Sequence, residues 1–206
     1  MQFKHADTAI LIFCKAPIAG QVKTRLMPQL SAEQAANVHV RLTERTLSLL
    51  TKHPFCQVQL WCSPDTQHSF FAHCMQKYAV SLQQQQGDDL GERMHHAICK
   101  ALETSNKVLL IGCDCPSLTI QDIDFAINAL DHDCVVFSPA EDGGYVMVAM
   151  TKPHPELFLG LKWGHDKVLE NSLQRADDNA VAVVKTKLQW DVDDISDLIR
   201  FRHLDN

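Results

Sequence analysis

The run Val108-Leu109-Leu110-Ile111 stops at Gly112, and Cys113-Asp114-Cys115-Pro116 follows directly. A short leucine-rich and β-branched run closed by glycine predicts a buried strand. Asp114 then falls just past the strand's carboxyl end, with Pro116 restricting the backbone behind it. In open α/β sheets that edge is where ligands bind. The rest of the chain repeats the pattern. Strands are predicted over Thr8–Phe13, Val58–Cys62, Val80–Gln83, Lys107–Ile111, Cys134–Ser138, Tyr145–Met150 and Val181–Lys185. Helices are predicted over Ser31–Lys52, Asp65–Gln76, Asp89–Glu103, Thr119–Leu130, Asp166–Ala176 and Ile195–His203, the first opened by a Ser31-x-x-Gln34 capping box. Strands separated by helices of this length require βαβ crossovers. The expected fold is therefore a single α/β domain over 1–206, with a mainly parallel sheet and helices on both faces. The short glycine turn between Ser138 and Tyr145 calls for an antiparallel strand near the end.

Composition narrows the function classes. A net charge of −6 over 206 residues does not suggest a nucleic-acid or acidic-membrane partner. The longest early apolar run, Thr8 to Cys14, is far short of the ~20 residues that span a bilayer, so no membrane span is expected. Asp7 and Lys15 flank it without a small-residue cleavage site, which argues against a signal peptide and for a cytoplasmic protein. The eight cysteines form no Cys-x-x-Cys pair and most lie in apolar surroundings, so they read as reduced structural thiols rather than a disulfide or zinc framework.

The basic residues of an acidic protein gain meaning from where they cluster. The loop after the first strand holds Lys15, Pro17, Gly20, Lys23, Thr24 and Arg25. Such a loop suits a di- or triphosphate, although a solvated basic loop has the same composition. It lacks the Gly-Lys-Ser/Thr of a Walker loop. Glu141-Asp142-Gly143-Gly144-Tyr145 is either an ordinary hairpin turn or a backbone that approaches a ligand, with Asp142 or Glu141 available as a base. Asp191 and Asp193 share one side of an extended backbone and offer further metal ligands beside Asp114, while Asp194 suits a helix N-cap. Gly87, Asp89, Leu90, Gly91 and Arg93 form either a turn with a helix start or a seat for a nucleobase or ribose. Trp163 and His165 precede another helix, as packing residues or as substrate-facing ones.

Taken in order, several motifs resemble a bacterial family of small GT-A-type transferases, provisionally named glycosyltransferases and often called a domain of unknown function. They are Phe13-x-Lys15-x-Pro17-x-x-Gly20-x-Val22-Lys23-Thr24-Arg25-Leu26, Gly87-x-Asp89-Leu90-Gly91-x-Arg93-Met94, Gly112-x-Asp114-Cys115-Pro116-x-Leu118, Asp142-Gly143-Gly144-Tyr145 and Asp191-Val192-Asp193. The same segments are similar to nucleotidyltransferases that guanylylate phospholactate or the molybdenum cofactor.

The resemblance implies that Lys15, Lys23 and Arg25 contact nucleotide phosphates, with Pro17, Gly20, Thr24, Gly112 and the Gly87–Arg93 segment in the same nucleotide site. It implies that Asp114 binds Mg2+ or Mn2+. Pro116 stands where the GT-A Asp-x-Asp motif has its second acid, so Asp193 or Asp191 would supply it, by similarity to sialic-acid cytidylyltransferases. Gly143, Gly144 and Tyr145 would face the second substrate, a small-molecule acceptor, and Trp163, outside these motifs, would join them if it is substrate-facing. Two reactions follow: glycosyl transfer from a nucleotide sugar, or nucleotidyl transfer from an NTP with release of pyrophosphate. A non-catalytic nucleotide-binding protein is the third reading, and the joint presence of Asp114, Asp193 and the cation loop speaks against it. A homodimer through an exposed edge at Thr8–Phe13 or Tyr145–Met150 is a further expectation.

Overall fold

A computed structural model describes residues 3–204. The elements are β1 (Thr8–Lys15), α1 (Ala32–Thr51), β2 (Gln57–Ser63), α2 (Ser69–Tyr78), β3 (Ser81–Gln84), α3 (Leu90–Leu102) and β4 (Lys107–Gly112). There follow α4 (Ile120–Ala129), β5 (Val135–Pro139), β6 (Tyr145–Met150), α5 (Val168–Asp178), β7 (Val183–Lys185) and α6 (Ile195–Leu204). They build one seven-stranded sheet in the order β3-β2-β1-β4-β6-β5-β7. Only β6 runs antiparallel, to both β4 and β5, as the glycine turn before it requires.

The central strands are buried on both faces. Ile10, Ile12, Leu109 and Ile111 meet Leu47 and Leu50 of α1, Phe71 of α2 and Ile123 and Ile127 of α4. Their alternates Ala9, Leu11, Val108 and Leu110 meet Met94, Ala97 and Ile98 of α3 and Ala176 of α5. A third cluster joins Leu26, Leu42, Trp190, Val192, Leu198 and Phe201. It packs the loop after β1 and the segment before α6 against α1, and so holds both at one edge of the sheet.

Local side-chain chemistry accounts for the element ends. The Gln34 N–H donates to Ser31 Oγ at 3.2 Å and the Ser31 N–H donates to Gln34 Oε1 at 2.8 Å, which completes the expected capping box. The helix expected from Asp65 starts later, because the Asp65 carboxylate accepts from the Gln67 N–H at 2.8 Å and His68 caps α2 instead. Likewise His165 Nδ1 accepts from the Lys167 N–H at 3.0 Å, and α5 begins only at Val168. The strand order corrects the expected dimer route. Thr8–Lys15 and Tyr145–Met150 are interior strands with both edges paired, so neither can pair with a second chain. Among the described residues no helix is long and apolar enough to cross a membrane.

Candidate functional site

The first crossover leaves β1 towards β2, while β4 lies on the other side of β1. The carboxyl ends of β1 and β4, paired through Phe13 and Gly112, therefore flank the crevice where the strand order reverses. The loop after β1 and Asp114 after β4 both emerge there. Leu26, fully buried in the third cluster, anchors that loop through a short 3-10 turn at Thr24–Leu26. Immediately before it, Lys23 adopts a left-handed backbone conformation, φ 47°. Such a conformation disfavours a residue with a Cβ, and here it aims the side chain inward.

The Lys23 ammonium lies 2.7 Å from Asp114 Oδ2 and 3.4 Å from Asp193 Oδ1. Arg25 reaches the other oxygen of Asp193 at 2.6 Å. The Lys23 side chain is only 7% exposed, whereas Asp114 and Asp193 keep 31% and 34%. Burial alone would pull the Lys23 ammonium down, but Asp114 and Asp193 outweigh it and hold the group above the usual lysine range. Burial would likewise raise the Asp114 carboxyl; Lys23 reverses this and keeps it below its ordinary value.

Asp191 and Asp193 owe their orientation to the residue between them. Val192 is fully buried and its N–H donates to the Asp114 carbonyl at 3.1 Å, which turns both flanking carboxylates towards the crevice. One oxygen each from Asp114, Asp191 and Asp193 falls within 4.8 Å of the others. Burial, then the neighbouring Asp114, Asp193 and Asp142, push the Asp191 carboxyl up to about 7. The capping role also holds, since Asp194 Oδ1 accepts from the Ser196 and Asp197 N–H groups.

Two cavities meet at this cluster. A polar one of about 400 Å³ is lined by Lys15, Lys23, Thr24, Arg25, Asp114 and, deeper, Cys14, His39 and Cys113. A second of about 500 Å³ is lined by Met94, Asp142, Gly144, Tyr145, Trp163 and Asp166, with Asp191 at its edge. Phe13, Arg25, Leu90, Gly112 and Asp193 belong to both. The glycine turn shapes the second cavity. Gly143 has φ +86°, and a Cβ there would sit 1.9 Å from the Asp166 carbonyl oxygen. Only glycine allows the turn to lie against the segment that carries Trp163 and Asp166. The Tyr145 ring meets Phe137 and Trp163 edge-on at 4.9 and 6.3 Å.

Several expected residues serve as supports, and none of these lines either cavity. Glu141 is ion-paired to Arg200 at 3.0 Å. Pro17, Gly20 and Gly87 belong to the loop frames. Asp89 caps α3 by accepting from the Glu92 N–H at 2.9 Å, and Arg93 Nε donates to the Gly87 carbonyl at 2.8 Å. Gly91 packs on the Phe158 backbone, where a Cβ would come within 2.3 Å of the carbonyl oxygen. Met94 belongs to a motif the sequence already singled out, whereas Asp166 and His39 were not among the expected site residues and reach the cavities only because of how the pre-α5 segment and α1 pack.

Solved structures share this architecture. A protein from Desulfovibrio desulfuricans G20, provisionally named a nucleotide-diphospho-sugar transferase, is 28% identical, with a TM-score of 0.87 over 98% of this chain and 89% of that one. The inositol-1-phosphate CTP transferase from T. maritima is 16% identical, with a TM-score of 0.64 over 99% and 97%. The 4-diphosphocytidyl-2C-methyl-D-erythritol synthase from Anaerococcus prevotii DSM 20548 is 12% identical, with a TM-score of 0.63 over 99% and 98%. At such identities the last two likenesses concern the fold. No curated protein sequence matches the chain. The model of a bacterial family, described as "Uncharacterized protein conserved in bacteria (DUF2064)", matches residues 46–165. That match spans more than half of the 206 residues, and the chain belongs to this family, in agreement with the resemblance its motifs carry.

Proposed function

We propose that the protein is a divalent-metal-dependent transferase that moves a sugar from a nucleotide-diphosphate-sugar to a small acceptor. The observation that carries this reading is the cluster of Asp114, Asp191 and Asp193 with Lys23 and Arg25, where a polar and a more apolar cavity meet. The name of the 28%-identical relative supports it.

The residues present fit Mg2+ or Mn2+. Three carboxylate oxygens within 4.8 Å form a hard-donor set. When bound, the ion supplies charge that stabilises the departing diphosphate. Lys15, Lys23 and Arg25 bind the phosphate oxygens, and Thr24 and Gly112 bring backbone close to them. Asp114 and Asp193, which pair with Lys23 and Arg25 here, would hold the ion, and the two cations would then be free to meet phosphate oxygens. Tyr145 and Trp163 present ring surface to the sugar or acceptor, and Gly144 lets backbone approach it. Asp142, which lines the second cavity, takes the proton from the acceptor hydroxyl; Glu141, held by Arg200, does not.

The crowding of Lys15, Lys23 and Arg25 in one cavity favours a second reading, nucleotidyl transfer from an NTP to a phosphorylated substrate. Thermal shifts with Mn2+ against paired panels of nucleotide sugars and NTPs separate the two. Selective stabilisation by one nucleotide sugar, followed by release of nucleoside diphosphate, supports sugar transfer. A larger shift with one NTP and release of pyrophosphate replaces it with nucleotidyl transfer. No shift with either panel refutes both. Under either reaction Asp114→Asn lowers metal-dependent turnover by at least about 10²-fold. Unchanged turnover would remove Asp114 from the site.

A further inference from the structure

We propose that Cys14, His39 and Cys113 form a binding site for a soft divalent ion, Zn2+, in the floor of the polar cavity. Cys14 lies near the end of β1 and Cys113 directly follows β4. These strands are parallel neighbours paired through Phe13 and Gly112, so the two cysteines come next, side by side. Both point to the face that carries Ile10, Ile12, Leu109 and Ile111. His39, in the middle of α1, descends on them from the helix that crosses this face. All three are buried, at 1%, 5% and 4% exposure, yet all three line the cavity, which gives an ion its way in.

The spacing suits a tetrahedral ion. The three donor atoms lie within 4.8 Å of one another, and Cys14 Sγ is 3.6 Å from His39 Nε2. Zinc bonds of ~2.3 Å to sulfur and ~2.0 Å to nitrogen at a tetrahedral angle place S and N about 3.5 Å apart. The Lys15 carbonyl oxygen accepts from His39 Nε2 at 2.9 Å and from Cys14 Sγ at 3.3 Å, and once those hydrogens leave it is the nearest fourth donor. Neighbouring threonines tie down the backbone that carries two of the ligands. Thr43 Oγ1 donates to the His39 carbonyl at 2.9 Å, and Thr46 Oγ1 donates to the Cys113 carbonyl at 3.3 Å.

The chemistry also closes. Binding expels the two thiol protons, and the imidazole proton, which Nε2 donates to the Lys15 carbonyl in the metal-free protein, moves to Nδ1 so that Nε2 offers its lone pair. A dication with two thiolates and a neutral imidazole has no net charge, which suits a buried position. Thiolate and imidazole select zinc, whereas the oxygens of Asp114, Asp191 and Asp193 select Mg2+ or Mn2+. The two sites are therefore separate in preference, although Cys113 precedes Asp114 in the chain. This inference stands independently of the proposed transfer reaction.

The test uses the reduced full-length protein, stripped of metal and titrated with Co2+ and then Zn2+. One Co2+ per chain should bind with a thiolate-to-cobalt charge-transfer band and the intense visible absorption of a tetrahedral ion, both erased by Zn2+. Cys14→Ser and Cys113→Ser should abolish the band, His39→Gln should weaken it, and Asp114→Asn should leave it. Zinc should raise Tm by about 5–10 °C when present at about a hundredfold over Kd. X-ray absorption at the zinc edge of the wild-type protein provides a readout that does not depend on a cysteine variant folding, with two sulfur neighbours at ~2.3 Å expected. A zinc shell of nitrogen and oxygen alone overturns the proposal, as does a cobalt band that survives Cys113→Ser or is lost in Asp114→Asn.

Discussion

Replacing Asp191 by asparagine should stabilise the metal-free protein at alkaline pH and should do so progressively less as pH falls. Burial and the nearby carboxylates hold the Asp191 carboxyl at about 7, against an ordinary value of 3.8. Between these values the native chain retains a proton that the unfolded chain has lost. The native state thus binds more protons, and stability falls as pH rises from about 4 through 7. Above that range the cost is constant. With about 1.4 kcal/mol for each tenfold change in proton affinity, Asp191 removes about 2–3 kcal/mol of stability between pH 5 and pH 8. Asparagine does not titrate, so the difference between variant and wild type should grow by that amount. Urea unfolding in EDTA buffer reads it as a midpoint difference that widens by about 1 M over this range, for m-values of about 2–3 kcal/mol/M. Mn2+ should narrow the difference at pH 8, because a bound cation stabilises the wild-type carboxylate. A difference between variant and wild type that stays constant from pH 5 to pH 8 would refute the claim that these carboxylates crowd one another.

Two further outcomes test how the site is held. Leu26→Ala empties a fully buried position in the cluster that anchors the cation loop, and should cost about 3 kcal/mol in urea unfolding. If nucleotide affinity were unaffected by that loss, the loop would not depend on its anchor. Gly143→Ala places a methyl group against the Asp166 carbonyl at a backbone angle that disfavours alanine, and should cost at least about 2 kcal/mol. Its crystal structure should show Trp163 and Asp166 displaced from the turn, and an unmoved segment would contradict the proposed close approach.

Strand and helix identity was legible because burial on both sheet faces demands continuous apolar runs such as Val108–Ile111, and because caps such as Ser31–Gln34 are local chemistry. The antiparallel course of β6 followed from the length of the turn before it. Asp114 could be placed at the crevice edge for a similar reason, since it directly follows a strand. The exact starts of α2 and α5 escaped, as the side chains of Asp65 and His165 capture backbone N–H groups that would otherwise enter the helix.

What only the tertiary structure decided depends on partners distant in the chain. Whether a strand is an edge is a property of sheet order, and no periodicity in Thr8–Phe13 or Tyr145–Met150 reveals their interior places. Whether Lys23 is a free cation or is paired to Asp114 and Asp193 depends on Leu26 and Val192 packing in one cluster. Glu141 and Asp142 are neighbours in sequence, yet Arg200 captures one while the other lines a cavity. Cysteine spacing along the chain argued against a zinc site, whereas the pairing of β1 with β4 under α1 brought Cys14, His39 and Cys113 within 4.8 Å. Sequence alone determined the alternation of elements, because that alternation is set by local turns, caps and burial patterns. The constellation of charges and thiols at the crevice is set by long-range packing, which places groups that the chain itself keeps far apart.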